Sequence, residues 1–117
     1  MPHVVLNGNI GVENVFTALK PLFFRNGTDI LRTSESYLER EKNAILVDSL
    51  SIQRDKKIGF LLMISGREDG IVIRLYPKSE VEKTEGVKRL IAEIAKQLLQ
   101  TFPELRRGET NLSEYFR

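Results

Sequence analysis

Apolar residues in the last third of the chain repeat with the three- and four-residue spacing of an amphipathic helix. Charged and amide side chains fill most of the positions between them. Ser79 or Thr84 can serve as the N-cap, and Pro103 ends the repeat. The pattern therefore predicts a long C-terminal helix whose apolar stripe consists of Val87, Leu90, Ile91, Ile94, Ala95, Leu98 and Phe102.

Three strands are predicted before this helix, over residues 44–52, 58–65 and 71–76. Each is rich in apolar and β-branched residues and is bounded by turn-forming residues. The separating loops, residues 53–57 and 66–70, are short and polar. Loops of this length favour antiparallel hairpins.

The N-terminal part of the chain has weaker signals. Residues 4–6 predict a short first strand, and apolar residues at helical spacing over 12–23 predict a helix in which Pro21 causes a kink or a break. Asn26-Gly27 predicts the end of this helix, because glycine readily adopts the left-handed conformation found there. Residues 30–41 predict an edge strand.

These elements predict an α+β fold with a single antiparallel sheet of four to five strands and the long C-terminal helix packed on one face. The predicted order is β-α-β-β-β-β-α, with residues 1–105 forming a single domain and 106–117 a polar C-terminal tail. This order resembles a reduced helix-grip arrangement, in which a sheet wraps a long terminal helix and can leave an apolar ligand cavity. The resemblance covers element order without any motif, so it transfers no function.

The two hairpins also predict which residues share a face, since a shift of one residue sends every side chain to the opposite face. Pairing apolar residues with apolar residues aligns Ile64 with Ile71 in the last hairpin and Leu50 with Phe60 in the preceding one. All four side chains are then expected under the long helix. This register is the basis for the candidate site.

Asp48 falls opposite Leu62 in the same register, on the core side of the sheet. A carboxylate desolvated there would have a raised pKa and could act as a general acid or base. The favoured interpretation is a structural acid at a bulge, or one paired with Arg32 or a backbone N–H, because structural pairs are commoner than catalytic ones. Asp48 is therefore predicted to be a buried acid, and its role stays open.

The opposite, outer face of the predicted sheet is also apolar. A sheet with one solvated face normally alternates apolar with polar residues, whereas 61–64 are apolar in both phases. A second subunit, the first helix, or a ligand or nucleic acid is expected to cover this face. The predicted partner- or ligand-facing residues are Val47, Leu61, Met63, Val72, Arg74 and Tyr76.

Composition excludes several kinds of chemistry. The 117 residues contain no cysteine and one histidine, His3, so neither a metal site nor a cofactor is expected. The net charge of +2, from 18 basic and 16 acidic residues, is too small to indicate nucleic acid as a partner. No apolar run or basic N-terminal region suggests a membrane span or a secretory signal, so a cytoplasmic location is expected.

Together these features favour a non-enzymatic cytoplasmic interaction module that forms a homodimer through the outer sheet face. A different protein partner is a second possibility, and no recognisable cluster of carboxylates supports an enzyme. One alternative is a small apolar-ligand carrier of helix-grip-like architecture. Another is a weakly basic RNA-binding protein in which Arg74 and Tyr76 stack on a base.

Overall fold

The computed structural model describes residues 1–117 as one curled antiparallel sheet with two helices. The spatial order of the strands is β2-β3-β4-β5-β6-β1-β7. The elements are β1 (His3–Asn7), α1 (Val12–Ala18), β2 (Phe23–Asn26), β3 (Asp29–Leu38), β4 (Ala44–Gln53), β5 (Lys56–Arg67), β6 (Gly70–Leu75), α2 (Glu85–Thr101), β7 (Arg106–Thr110) and a C-terminal 3-10 helix (Ser113–Phe116).

The predicted sheet of four to five strands is wrong, since the sheet has seven, whereas the α+β class and the antiparallel arrangement are confirmed. Two further strands account for the difference. β2 lies where the first helix was expected to end, and β7 lies within residues 106–117, which were predicted to be a polar tail. α1 ends at Ala18, before Pro21, because proline disfavours a helical conformation in the residue before it and supplies no N–H.

Asn26-Gly27 forms a hairpin turn and does not cap a helix. Asn26 pairs with Asp29, so Gly27 and Thr28 are the two loop residues between β2 and β3. Gly27 has φ +63° at the first loop position, where two-residue hairpins of type II′ require glycine. The positive φ expected of this glycine is present, but in a different element.

The turn between β4 and β5 is tighter than predicted, and this changes which residues face the core. Gln53 pairs with Lys56, which leaves a loop of two residues, Arg54 and Asp55, with φ of 50° and 65°. The predicted loop has five residues. Side chains alternate along a strand, so a loop of two residues in place of five changes the register by an odd number. Every side chain of β4 therefore lies on the face opposite to the predicted one.

The hairpin of β5 and β6 is also tighter than predicted, but its faces are unchanged. Arg67 pairs with Gly70, and Ile64 pairs with Ile73 where Ile71 was expected. A shift of two residues keeps every side chain on its predicted face. The apolar residues of both strands that were expected under the helix therefore remain there.

The core fills the space between α2 and the inner face of the sheet. The largest fully buried side chains include Leu62, Ile64, Ile71 and Ile73 from the sheet and Leu90, Ile91, Ile94 and Leu98 from α2. The hydroxyl of Thr84 accepts a hydrogen bond from the backbone N–H of Val87 at 3.4 Å, so Thr84 is the N-cap. The predicted long C-terminal helix is confirmed, and neither helix has the length and apolar character needed to cross a bilayer.

Candidate functional site

Both helices lie on the inner face of the sheet, which leaves the outer face without a covering layer. In α1, Val12 lies beside Gly66, an inner-face position of β5. In α2, Gly86 lies close to Ser51 and Leu31, which are buried inner-face residues of β4 and β3. The alternative in which the first helix covers the outer face is therefore wrong.

Apolar side chains occupy the centre of the outer face. The registers of β4, β5 and β6 place them there, and all are only half-buried. The five central strands are separated by four spacings of about 4.8 Å, and about eight residues at 3.3 Å each set the length. The whole outer face of these strands therefore has roughly 500 Å² of flat area. We call the five central residues the outer patch: Leu46, Leu50, Leu61, Met63 and Val72.

Two exposed aromatic residues lie at one rim of the outer patch. Tyr37 of β3 pairs with Leu46 and is 53% exposed. Phe23 of β2 lies across from Arg32 and is 61% exposed. Their rings extend the apolar surface toward the β2 edge of the sheet.

The structure places five of the predicted partner-facing residues on the outer face and one in the core. Alternation along β5 and β6 puts the five on the side away from the helices. Val47, the sixth, is 1% exposed and pairs with Leu62 in the core. Its predicted outward orientation is wrong because of the one-residue change in register. The five outward residues are Leu61, Met63, Val72, Arg74 and Tyr76.

Leu46 and Leu50 are the patch residues that sequence reasoning missed. Their inward-facing neighbours include Ser49 and Ser51, which are 3% and 1% exposed. A side chain at Gly86 would overlap the hydroxyl of Ser51, so small residues are needed where α2 approaches β4. Two serines at alternate positions opposite a helical glycine are thus the sequence signal that could have identified the inner face.

Asp48 lies on the outer face, opposite Leu61, and its side chain is exposed. The prediction of a buried acid is wrong, since it depended on pairing Asp48 with Leu62. The carboxylate forms no ion pair within the chain, not even with Arg32. The backbone carbonyl accepts a hydrogen bond from Ser34 at 3.4 Å, at the irregularity in β3.

Arg74 lies between Met63 of β5 and His3 of β1 on the same face. Its Nε is buried and has no hydrogen-bond partner, and its guanidinium forms no ion pair. Leaving a buried donor unsatisfied costs about 1–3 kcal/mol. An acceptor from outside the chain would remove this penalty.

The depressions elsewhere on the surface have mixed or polar linings. One beside the N-terminus of α2 is lined by Lys56, Glu82 and six other polar residues, and no apolar residue contributes. A smaller one has Phe24 and Leu31 as its only apolar residues. The residues of the chain bring together no group of three metal-ligating side chains.

The chain matches no protein-family model, no curated protein and no solved structure. The outer patch, with the unpaired Asp48 and Arg74 beside it, is the feature from which a function can be inferred.

Proposed function

We propose that the protein is a non-enzymatic interaction module whose outer sheet face binds a second copy of the same chain. The observation that carries the proposal is the apolar outer patch at the centre of a sheet whose two helices both lie on the other side. An exposed apolar patch of a few hundred Å² often marks an interaction site. Two such sheets packed face to face, about 10 Å apart, would bury both patches.

The charges beside the patch favour a second copy over an unrelated partner. A two-fold interface uses the same surface on both subunits, so that surface must be complementary to itself. Asp48 on β4 and Arg74 on β6 supply one charge of each sign on either side of β5. A face with this arrangement can meet its own copy without leaving a like charge opposite either residue.

The size of the face is compatible with a stable dimer. A standard interface buries about 800 Å² of accessible surface per partner. The flat area of roughly 500 Å² underestimates the accessible area, because side chains project from it. Phe23 and Tyr37 add exposed aromatic surface at the rim.

The two alternative functions have less support. In a helix-grip carrier the ligand would lie between the helix and the sheet, and here the buried core fills that space. An RNA-binding sheet presents stacking aromatics on its central strands. On this outer face the exposed rings of Phe23 and Tyr37 lie at the rim. Tyr76, whose backbone N–H donates a hydrogen bond to the carbonyl of Leu61, is the one ring beside a centre that is otherwise apolar and non-aromatic.

Sedimentation equilibrium of the full chain and of Met63→Glu tests the proposal. The parent is expected at twice the monomer mass of 13.4 kDa, independent of salt. Met63→Glu places two acids in a desolvated interface, because each substitution occurs once per subunit. The variant is expected to sediment as a monomer with the circular dichroism of the folded parent, since the inner core is unchanged.

Three further variants make the result specific. Met63→Leu keeps the side chain apolar and should remain dimeric, as should Gln100→Glu on the exposed side of α2. Leu46→Glu tests the patch at a second position in case Met63→Glu does not fold. A parent mass of one chain would contradict the proposal. Retention on heparin that disappears steeply with salt would indicate nucleic acid, and a co-purified small molecule in native mass spectrometry would indicate a carrier.

A further inference from the structure

Asp48 and Arg74 lie on opposite sides of β5 and form no ion pair with each other within the chain. Asp48 is level with Leu61, and Arg74 is level with Met63, one outward step further along β5. Two strand spacings separate β4 from β6 by about 10 Å. One unpaired carboxylate and one unpaired guanidinium therefore flank the centre of the outer patch.

A two-fold axis between facing sheets would bring these two residues together. If the axis runs roughly along β5, it exchanges the two sides of that strand and places β4 of one protomer over β6 of its partner. The remaining offset is one outward step along the strand, about 7 Å, which the long arginine side chain can cover. The same operation also brings Arg74 of the first protomer to Asp48 of the second.

We infer that, in the proposed dimer on which this inference rests, Asp48 of each protomer forms an ion pair with Arg74 of the other. The two symmetry-related pairs set the register in which the sheets pack. Apolar faces alone tolerate sliding, whereas charges that must meet opposite charges do not. The contribution of the pairs is therefore mainly to the choice of one arrangement.

The state of Arg74 distinguishes it from other basic residues on this face. Its Nε lacks an acceptor, and a carboxylate that meets an arginine side-on takes a hydrogen bond from Nε and another from a terminal nitrogen. Arg32 is exposed on β3, so its donors are open to solvent. Arg74 thus gains more from a partner's carboxylate than Arg32 does.

Charge reversal in the full chain tests the pairing. Asp48→Arg places arginine opposite arginine twice in its homodimer, and Arg74→Asp places acid opposite acid twice. Each single variant is expected to raise the dimer dissociation constant by about 100-fold. Combining both substitutions in one chain restores opposite charges and should restore most of the affinity.

Mixing the two single variants provides the most specific measurement. In the mixed dimer, the new Arg at 48 faces the new Asp at 74, and the original Arg74 faces the original Asp48. The two weakly self-associating variants should therefore form a heterodimer with nearly the affinity of the parent. Sedimentation equilibrium of each variant alone and of the equimolar mixture measures this.

Matched controls separate pairing from net charge. Arg40→Asp and Glu41→Arg carry the same charge changes on the exposed turn between β3 and β4 and should leave the dimer unchanged. Arg32→Asp should weaken the dimer far less than Arg74→Asp. If a charge-reversal variant fails to fold, the milder Asp48→Asn and Arg74→Gln replace it. Their effects on the dissociation constant should not add, because both remove the same ion pair. A dimeric parent with unaffected single variants, or a mixture that stays monomeric, would overturn the pairing and leave the dimer standing. A monomeric parent would overturn the dimer itself.

Discussion

Tyr115 joins the C-terminal end of the chain to the start of α2. Its hydroxyl donates a hydrogen bond to the Glu85 carboxylate, and the Arg89 guanidinium lies 5.2 Å from the centre of its ring. Burial raises the pKa of Tyr115 to about 12, and the hydrogen bond to Glu85 and the nearby negative charges act in the same direction. The neutral phenol is thus the form that the folded protein stabilises.

This pKa predicts a loss of stability at high pH. The unfolded state loses the phenol proton near pH 10, whereas the folded state holds it to about 12. The contribution of Tyr115 is therefore fully present below about pH 10 and is lost as the pH rises toward 12. Urea unfolding of the parent and of Tyr115→Phe should show a stability difference that is constant from pH 7 to 9 and shrinks above 10. A difference that does not change with pH would contradict the raised pKa.

At the scale of secondary-structure elements, sequence reasoning identified those whose periodicity is strong. The stripe of α2 and the central strands are long and regular, so their apolar spacing is decisive. β2 has only four residues and follows a proline, which leaves no periodic pattern to detect. β7 is polar because it is an edge strand, with water or charged side chains on its free side.

The faces of the sheet depend on a detail that periodicity does not contain. Two loops of similar composition were predicted at 53–57 and 66–70, and in the structure each is a turn of two residues. In the first case Gln53 pairs with Lys56, which shifted the register by one and inverted β4. In the second the shift was two and changed no face. The candidate site was therefore predictable on β5 and β6, and not on β4.

The turn between β4 and β5 carries backbone strain that a substitution can remove. Arg54 and Asp55 both have positive φ, which costs an ordinary residue roughly 1–2 kcal/mol and asparagine or glycine less. Arg54→Asn combined with Asp55→Gly, the preferred pair for such a turn, should raise the free energy of unfolding by about 1 kcal/mol. Urea titration measures the change.

The next turn along the chain supplies the control for that prediction. Glu68 and Asp69 also form a two-residue loop, but neither has positive φ. Glu68→Asn with Asp69→Gly should therefore bring no gain and should reduce stability slightly, because glycine makes the unfolded chain more flexible. An equal gain at both turns would show that the backbone at Arg54 and Asp55 is not the cause.

At the scale of the whole molecule, the two faces of the sheet differ in what packs against them. The inner face, both helices and the C-terminal 3-10 helix form the core, so stability resides there. The outer patch contributes little to that core, because both helices pack on the other side of the sheet. Substitutions on the two faces should therefore affect different measurements, unfolding for one and association for the other.

Residues 106–117 test this division, because they contribute to the core but not to the outer patch. β7 pairs with β1, and Leu112 and Tyr115 are 2% and 6% exposed. Burying two such side chains contributes roughly 3–6 kcal/mol, a large part of the ~6–18 kcal/mol expected for a chain of this length.

Deleting residues 106–117 should therefore lower the free energy of unfolding in urea by roughly 3–6 kcal/mol, whereas deleting only Arg117 should change it little. Leu112→Ala and Tyr115→Ala in the full chain apply the same test if the shortened chain does not fold. The folded fraction should keep the parent's association state, since the outer patch lies on the other face. A loss below about 1 kcal/mol would contradict the prediction. It would show that these residues, although buried, contribute little more to stability than exposed positions do.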